Sequence, residues 1–206
     1  MRAFMLIIAV VMLAAGPLAP AWAYSAEDAH RIYLEAVALS ELGRYEDAHA
    51  LIKPVAEDGH AEAQHLMGYM YRYGEGVPQN HGIARKWYEK SAEQGLVKSH
   101  YSLGLQYFHG MGGDVDFNKA ESYFMHSAKE GYADSFLPLG LILQNNGNIE
   151  YRYWLHKSAD SGRRSAYFYL AVFGDREEIY NLDLSETFCF TLQLILPTFI
   201  EPDCED

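Results

Sequence analysis

Residues 61–95 read AEAQHLMGYMYRYGEGVPQNHGIARKWYEKSAEQG, and residues 97–131 read VKSHYSLGLQYFHGMGGDVDFNKAESYFMHSAKEG. Laid one over the other, they place Gly68 on Gly104, Gly74 and Gly76 on Gly110 and Gly112, and Trp87-Tyr88 on Tyr123-Phe124. Ala84 and Ala92 fall on Ala120 and Ala128, and Gly95 falls on Gly131. The step is 36 residues throughout, and Gly140 continues it once more. A fixed step of that length predicts a helical-repeat solenoid, whose small units stack into one core and leave a groove for other molecules. The period therefore points to binding rather than to chemistry.

Each unit predicts two helices. Ala63, Met67, Met70 and Tyr71 recur at helical spacing until Gly74-Glu75-Gly76-Val77-Pro78 breaks the pattern, so the first helix ends near Tyr73. Asn80 suits the N-cap of a second helix carrying Ala84, Trp87, Tyr88 and Ala92, and Gly95 suits the left-handed residue that stops it. Asp116 takes the cap position one unit later. A glycine inside a helix costs roughly 1 kcal/mol relative to alanine. Gly68, Gly104 and Gly140 thus predict a close helix approach, with Ala84, Ala92, Ala120 and Ala128 as the opposing surface.

The unit Ala63-x-x-x-Met67-Gly68-x-x-Tyr71-x-x-Gly74-x-Gly76-Val77, followed by Ala84-x-x-Trp87-Tyr88-x-Lys90-x-Ala92-x-x-Gly95, resembles a Sel1-like repeat. That family is a branch of the tetratricopeptide-like solenoids. The resemblance implies an all-α, right-handed α-α superhelical solenoid of about four to five helix-turn-helix repeats with an irregular C-terminal cap. The repeats fall within residues 24–174 as units 25–59, 60–95, 96–131 and 132–162 and a partial unit 163–174. The first unit turns through Gly43-Arg44-Tyr45 without the double-glycine loop. The fourth is shortened, turns through Asn145-Asn146-Gly147-Asn148, and carries Pro138 in its first helix, which predicts a kink or a late start. Residues 175–206 are acidic around the apolar stretch Phe188 to Phe199, and predict either a cap on the last repeat or a tail for self-association.

Charge and the N-terminus bound the partners. A net charge of −12 over 206 residues disfavours nucleic acid and anionic lipid. Arg2, the apolar run Ala3 to Ala15, Gly16-Pro17 and the closing Ala21-Trp22-Ala23 read as a secretory signal peptide over residues 1–23, cut after Ala23. The apolar run is shorter than the ~20 residues a membrane span requires. The mature chain is therefore expected in the periplasm or outside the cell, with no stable membrane insertion. Its two cysteines, Cys189 and Cys204, either close a disulfide there or remain separate thiols.

Little in the chain suggests catalysis. The loops Gly74-Glu75-Gly76 and Gly110-Met111-Gly112-Gly113 join two helices, whereas a phosphate-binding loop follows a strand. The nearest histidine pairs, His60 with His65 and His100 with His109, lack the i, i+3 or i, i+4 spacing of helical metal ligands. No G-x-S-x-G or S-x-x-K motif is present. No metal and no cofactor are expected.

The stripe of the first helices turned away from the core and the second helices, expected to line the concave groove, is the candidate site. It holds Glu62, His65, Tyr69 and Arg72, then Lys98, Tyr101, Leu105 and Phe108, then Leu137, Leu141 and Gln144. An aromatic and apolar groove with a few charges suits a protein or peptide partner. The resemblance implies a non-catalytic scaffold or adaptor, since relatives serve in envelope signalling, assembly and host interaction. Its alternative is a cell-wall or β-lactam-related hydrolase or small-molecule binder, as described for cysteine-rich relatives. Those relatives staple each repeat with a cysteine pair, and no repeat here contains a cysteine.

Overall fold

The computed structural model describes residues 24–173. The signal segment, the acidic tail and both cysteines lie outside the described residues. Those described are helical: α1 (Ala26–Glu41), α2 (Tyr45–Glu57), α3 (Ala61–Tyr73), α4 (His81–Glu93), α5 (Val97–His109), α6 (Phe117–Lys129), a 3-10 turn (Ala133–Ser135), α7 (Phe136–Asn145), α8 (Tyr151–Asp160) and α9 (Arg164–Phe173). They divide between two compact units, Met1–Ala120 and Glu121–Asp206, and α6 passes from one to the other. Among the described residues no helix is long and apolar enough to cross a membrane.

The punctuation of the first unit follows the residues predicted for it. Gly74 caps α3 in the left-handed region, at φ +77°. The Asn80 side chain accepts the Ile83 N–H at 2.9 Å at the start of α4, and Asp116 accepts the Lys119 N–H at 3.0 Å at the start of α6. Ala48, Ile52, Val55, Ala56, Ala63, Met67 and Met70 form a continuous core from α2 into α3, with Tyr71, Val77 and Trp87 packed against it.

The helix glycines do mark close approaches, but to a different surface. A Cβ on Gly68 would lie 2.6 Å from two ring carbons of Tyr88, and one on Gly140 would lie 2.8 Å from a methyl of Leu155. Tyr88 and Leu155 are both fully buried. The opposing surface is thus a large side chain of the second helix laid into the glycine gap, not the alanines. Ala84 and Ala92 are buried too, but the tyrosine ring fills the space.

Successive helix pairs in the first unit are tied by two contacts the sequence did not announce. One is a serine relay: Ser91 Oγ donates to the Ala61 carbonyl at 2.7 Å, and Ser99 Oγ donates to Ser91 Oγ at 2.7 Å. It links α4 to the first turns of α3 and α5. The second compact unit keeps the pair as Ser127 and Ser135, 2.5 Å apart. In the shortened repeat the step from Gly131 to Gly162 carries Ser135 to Ala166, and the buried Ser158 hydroxyl is left without a partner.

The other contact is made by the second glycine of each loop. A Cβ on Gly76 would lie 2.3 Å from the Tyr45 carbonyl oxygen, and one on Gly112 would lie 2.7 Å from that of His81. Each loop therefore seats its bare backbone on the N-terminus of the preceding pair's second helix. Arg85 adds a clasp at the later joint, donating to the Met111 carbonyl at 2.7 Å with its guanidinium 4.3 Å above the Tyr107 ring.

Two polar or constrained residues in first helices have separate explanations. The α-helix of the fourth repeat starts late, at Phe136 after a 3-10 turn, which places Pro138 in the first turn where its nitrogen has no helical bond to make. Gln106 is fully buried, and neither amide atom has a partner. The flanking repeats hold Met70 and Ile142 at that position. An unmet buried amide costs about 1–3 kcal/mol, so Gln106→Met is expected to raise stability by about that amount. A urea midpoint that fails to rise contradicts this.

Candidate functional site

The candidate face in the first unit is the side of α3 and α5 turned away from the core. Tyr69 and Tyr73, one turn apart on α3, are 40% and 51% exposed, with ring centroids 4.6 Å apart. The Arg72 guanidinium sits 5.1 Å over the Tyr73 ring. Burial pushes the Tyr69 phenol up, and the charge of Glu75 in the following loop adds to that shift. Burial also raises the Glu75 carboxyl.

One turn toward the N-terminus, His65 bridges to the next repeat. Its Nε2 lies 3.3 Å from Ser102 Oγ on α5, and its ring centroid is 5.3 Å from that of Tyr88. Burial lowers its pKa to about 4, with the positive charge of Lys98 acting in the same direction. Burial moves the Tyr88 phenol well above its usual range, opposed in part by Arg72. His65 is therefore neutral at pH 7, serving as a hydrogen-bonding wall of the face.

A pH dependence of stability follows from that environment. The unfolded histidine takes up a proton near its ordinary value of 6.5, while the folded one resists until about 4. Below pH 6.5 the unfolded state thus binds more protons, and stability is lost as pH falls through that window. The expected loss between pH 7.5 and 5 is about 2 kcal/mol. His49, lowered by burial and then by Lys53 against an opposing Glu57, adds a change of the same sign. His65→Gln should flatten the slope of urea midpoint against pH; an unaltered slope contradicts the assignment.

The predicted site residues separate into groups. His65 lies beside Tyr88 and Ser102, Arg72 acts on Tyr88, the charge of Lys98 acts on His65, and Tyr69 stands exposed on α3. Glu62 lies at the N-terminal end of α3, 3.6 Å from His60 Nδ1. Tyr101 and Leu105 are half-buried on α5. Phe108 packs instead at the loop end, 5.5 Å from Phe117 and 4.9 Å from His109 between ring centroids. Leu137, Leu141 and Gln144 are half-buried on α7 of the second unit, where Leu137 packs against the cluster of Leu155, Ala159, Ala166 and Leu170. Gly76 and Gly112 are accounted for by their seats on α2 and α4, with no anion needed to explain them. Among the described residues no three of His, Cys, Asp and Glu come together as a metal site.

Tyr73 on this face, and Tyr88 and Ser102 buried behind it, were missed from the sequence. Tyr73 has His109 at its repeat position, so it did not stand out as periodic. Tyr88 did repeat, as Phe124, but was assigned wholly to the second helix. Ser102 takes the place of Leu66. That replacement of an apolar residue at a kept step was the available signal.

With the geometry in place, comparison with known proteins gives concordant results. The Sel1 repeat family matches residues 61–96, 97–132 and 152–162. A solved Sel1 repeat protein from Oxalobacter formigenes is 29% identical, covering 71% of this chain and 63% of its own, with a TM-score of 0.64. A protective antigen present in uropathogenic Escherichia coli strains, displaying an SLR fold, is 27% identical, covering 73% of this chain and 37% of its own, with a TM-score of 0.64. The chain thus spans less than two thirds of either relative. No curated protein matches it.

Proposed function

The chain is a Sel1-repeat protein, and from that premise we propose that it is a non-catalytic scaffold holding a protein or peptide partner on the outward face of α3 and α5, in the periplasm or outside the cell. Sel1 repeats typically mediate protein–protein interaction and are generally non-catalytic. The observation that carries the reading is the exposed pair Tyr69 and Tyr73, their rings in tilted contact, beside Arg72. Aromatic and arginine side chains are what binding hot spots are made of. Arg72, Lys98 and Glu62 would set the partner's orientation. The placement outside the cytoplasm is supported by the signal-like residues 1–23.

Crosslinked capture from envelope extract, followed by binding of the identified partner, tests the reading. Tyr69→Ala combined with Tyr101→Ala is expected to weaken that complex by about tenfold or more while leaving the fold intact. Undiminished binding overturns the placement of the site. Turnover of a chromogenic β-lactam by the purified protein would overturn the non-catalytic assignment.

A further inference from the structure

One long-range bond in the first unit starts at the residue that follows the signal segment. The Tyr24 backbone nitrogen donates to Asp58 Oδ2 at 3.0 Å, across 34 residues of sequence. Tyr24 stands just before Ser25, whose hydroxyl caps α1 by accepting the Asp28 N–H at 3.1 Å. Asp58 is the C-cap residue of α2. The bond therefore ties the start of α1 to the turn between α2 and α3.

The charges around this bond leave room for a cation. The C-terminal end of α2 carries Glu57 and Asp58, its last turn holds no basic residue, and carboxylates there face the negative end of the helix dipole. Glu57 has Lys53 at 3.9 Å. On α1, Glu27 and Asp28 fill the first turn, and Asp28 is held by Ser25 and Arg31. At the start of α3, Glu62 lies beside His60. Asp58 is left with the Tyr24 nitrogen, which in the uncut chain is a neutral amide with one hydrogen to give.

We propose that removal of residues 1–23 converts this bond into an ion pair, in which the new α-ammonium of Tyr24 latches the first helix pair through Asp58. It rests on the export proposed above and on a cut after Ala23. Hydrolysis of the Ala23–Tyr24 bond by a secretory peptidase consumes one water, leaves a carboxylate on Ala23, and gives Tyr24 an amine that takes a proton at neutral pH. The ammonium then presents three hydrogens and a full charge to an acceptor already in position, and charge-assisted bonds are the stronger kind. A terminal repeat lacks a neighbour on one side, so the latch falls where a solenoid is least supported.

The full-length chain, exported through its own signal into a bacterial periplasm, supplies the sample, and its intact mass should correspond to a start at Tyr24. A start elsewhere overturns the latch alone, and an uncut chain retained in the cell overturns the export reading with it. The Cα resonance of Tyr24 in labelled product then follows the α-amino titration. Its midpoint should lie about half a unit above the roughly 7.7–8.0 of a free α-amino group. In Asp58→Asn, which keeps an acceptor oxygen but loses the charge, it should return to that range. Because the folded midpoint is the higher one, the added stability is present below about pH 7.7 and is lost as pH rises through the folded value. Urea midpoints should therefore fall further between about pH 7 and 9.5 in the native protein than in Asp58→Asn. Equal titration midpoints in the two proteins overturn the ion pair and leave the export and the cut standing.

Discussion

Gly76→Ala is expected to destabilise the protein by about 3 kcal/mol or more, a drop of about 10 °C in melting temperature for a chain of this size. Two costs combine. Gly76 sits at φ +70°, where an L-residue with a Cβ is strained by about 1–2 kcal/mol. The added carbon would also lie 2.3 Å from the Tyr45 carbonyl oxygen and 2.8 Å from the Glu46 nitrogen. Both are backbone atoms of α2, which cannot move aside as a side-chain tip can. Relief requires lifting the loop off the preceding helix pair. Gly95→Ala isolates the first cost, because Gly95 has φ +83° and nothing within 4 Å of its Cβ position. The expected ranking is Gly76→Ala well below Gly95→Ala in melting temperature, with Gly112→Ala close to Gly76→Ala. Equal losses at Gly76 and Gly95 would mean that the seat on α2 contributes nothing.

Gly68→Leu is expected to cost about 3 kcal/mol, at the upper end of what overpacking a tight core incurs. Its Cβ alone would lie 2.6 Å from the Tyr88 ring, and Tyr88 is 1% exposed. Gly68→Ala should cost less, because the gain of about 1 kcal/mol in helix propensity offsets part of the clash. Tyr88→Ala is the discriminating partner. In a Tyr88→Ala background the ring is gone, so Gly68→Leu should be tolerated or even stabilising. A double-mutant cycle in denaturant reads this directly as a coupling energy. Additive losses would show that the glycine and the ring are not one packing unit.

How far the sequence carried the reading can be judged residue by residue. Gly74, Asn80, Gly95 and Asp116 were legible because capping and left-handed turns are local chemistry, decided by a few neighbours along the chain. The late start of the fourth repeat was legible from Pro138 for the same reason. The partner of Gly68 was not, because a periodic glycine reports that something comes close without saying what. Ser91 and Ser99 repeat as Ser127 and Ser135, so the relay was present in the pattern but invisible without knowing that α4 and α5 meet there. At the candidate face, Tyr69 and Arg72 were identified from helical phase alone. His65 was identified by the same rule, but its bond to Ser102 makes it part of the wall between repeats, which only the packing of α3 on α5 could reveal.

The seats of Gly76 on α2 and Gly112 on α4 make two joints in the first unit, each with a plug and a socket of different make. The loop is the plug, and the exposed start of the second helix is the socket. The first repeat turns through Gly43 without a second glycine, and no earlier helix among the described residues offers it a socket. Such a joint has polarity. A duplicated copy of the segment from Ala61 to Leu96, inserted in tandem, would meet its own socket at one end and present its own plug at the other. The joint thus accommodates a change in array length by whole repeats more readily than a single methyl group at the plug.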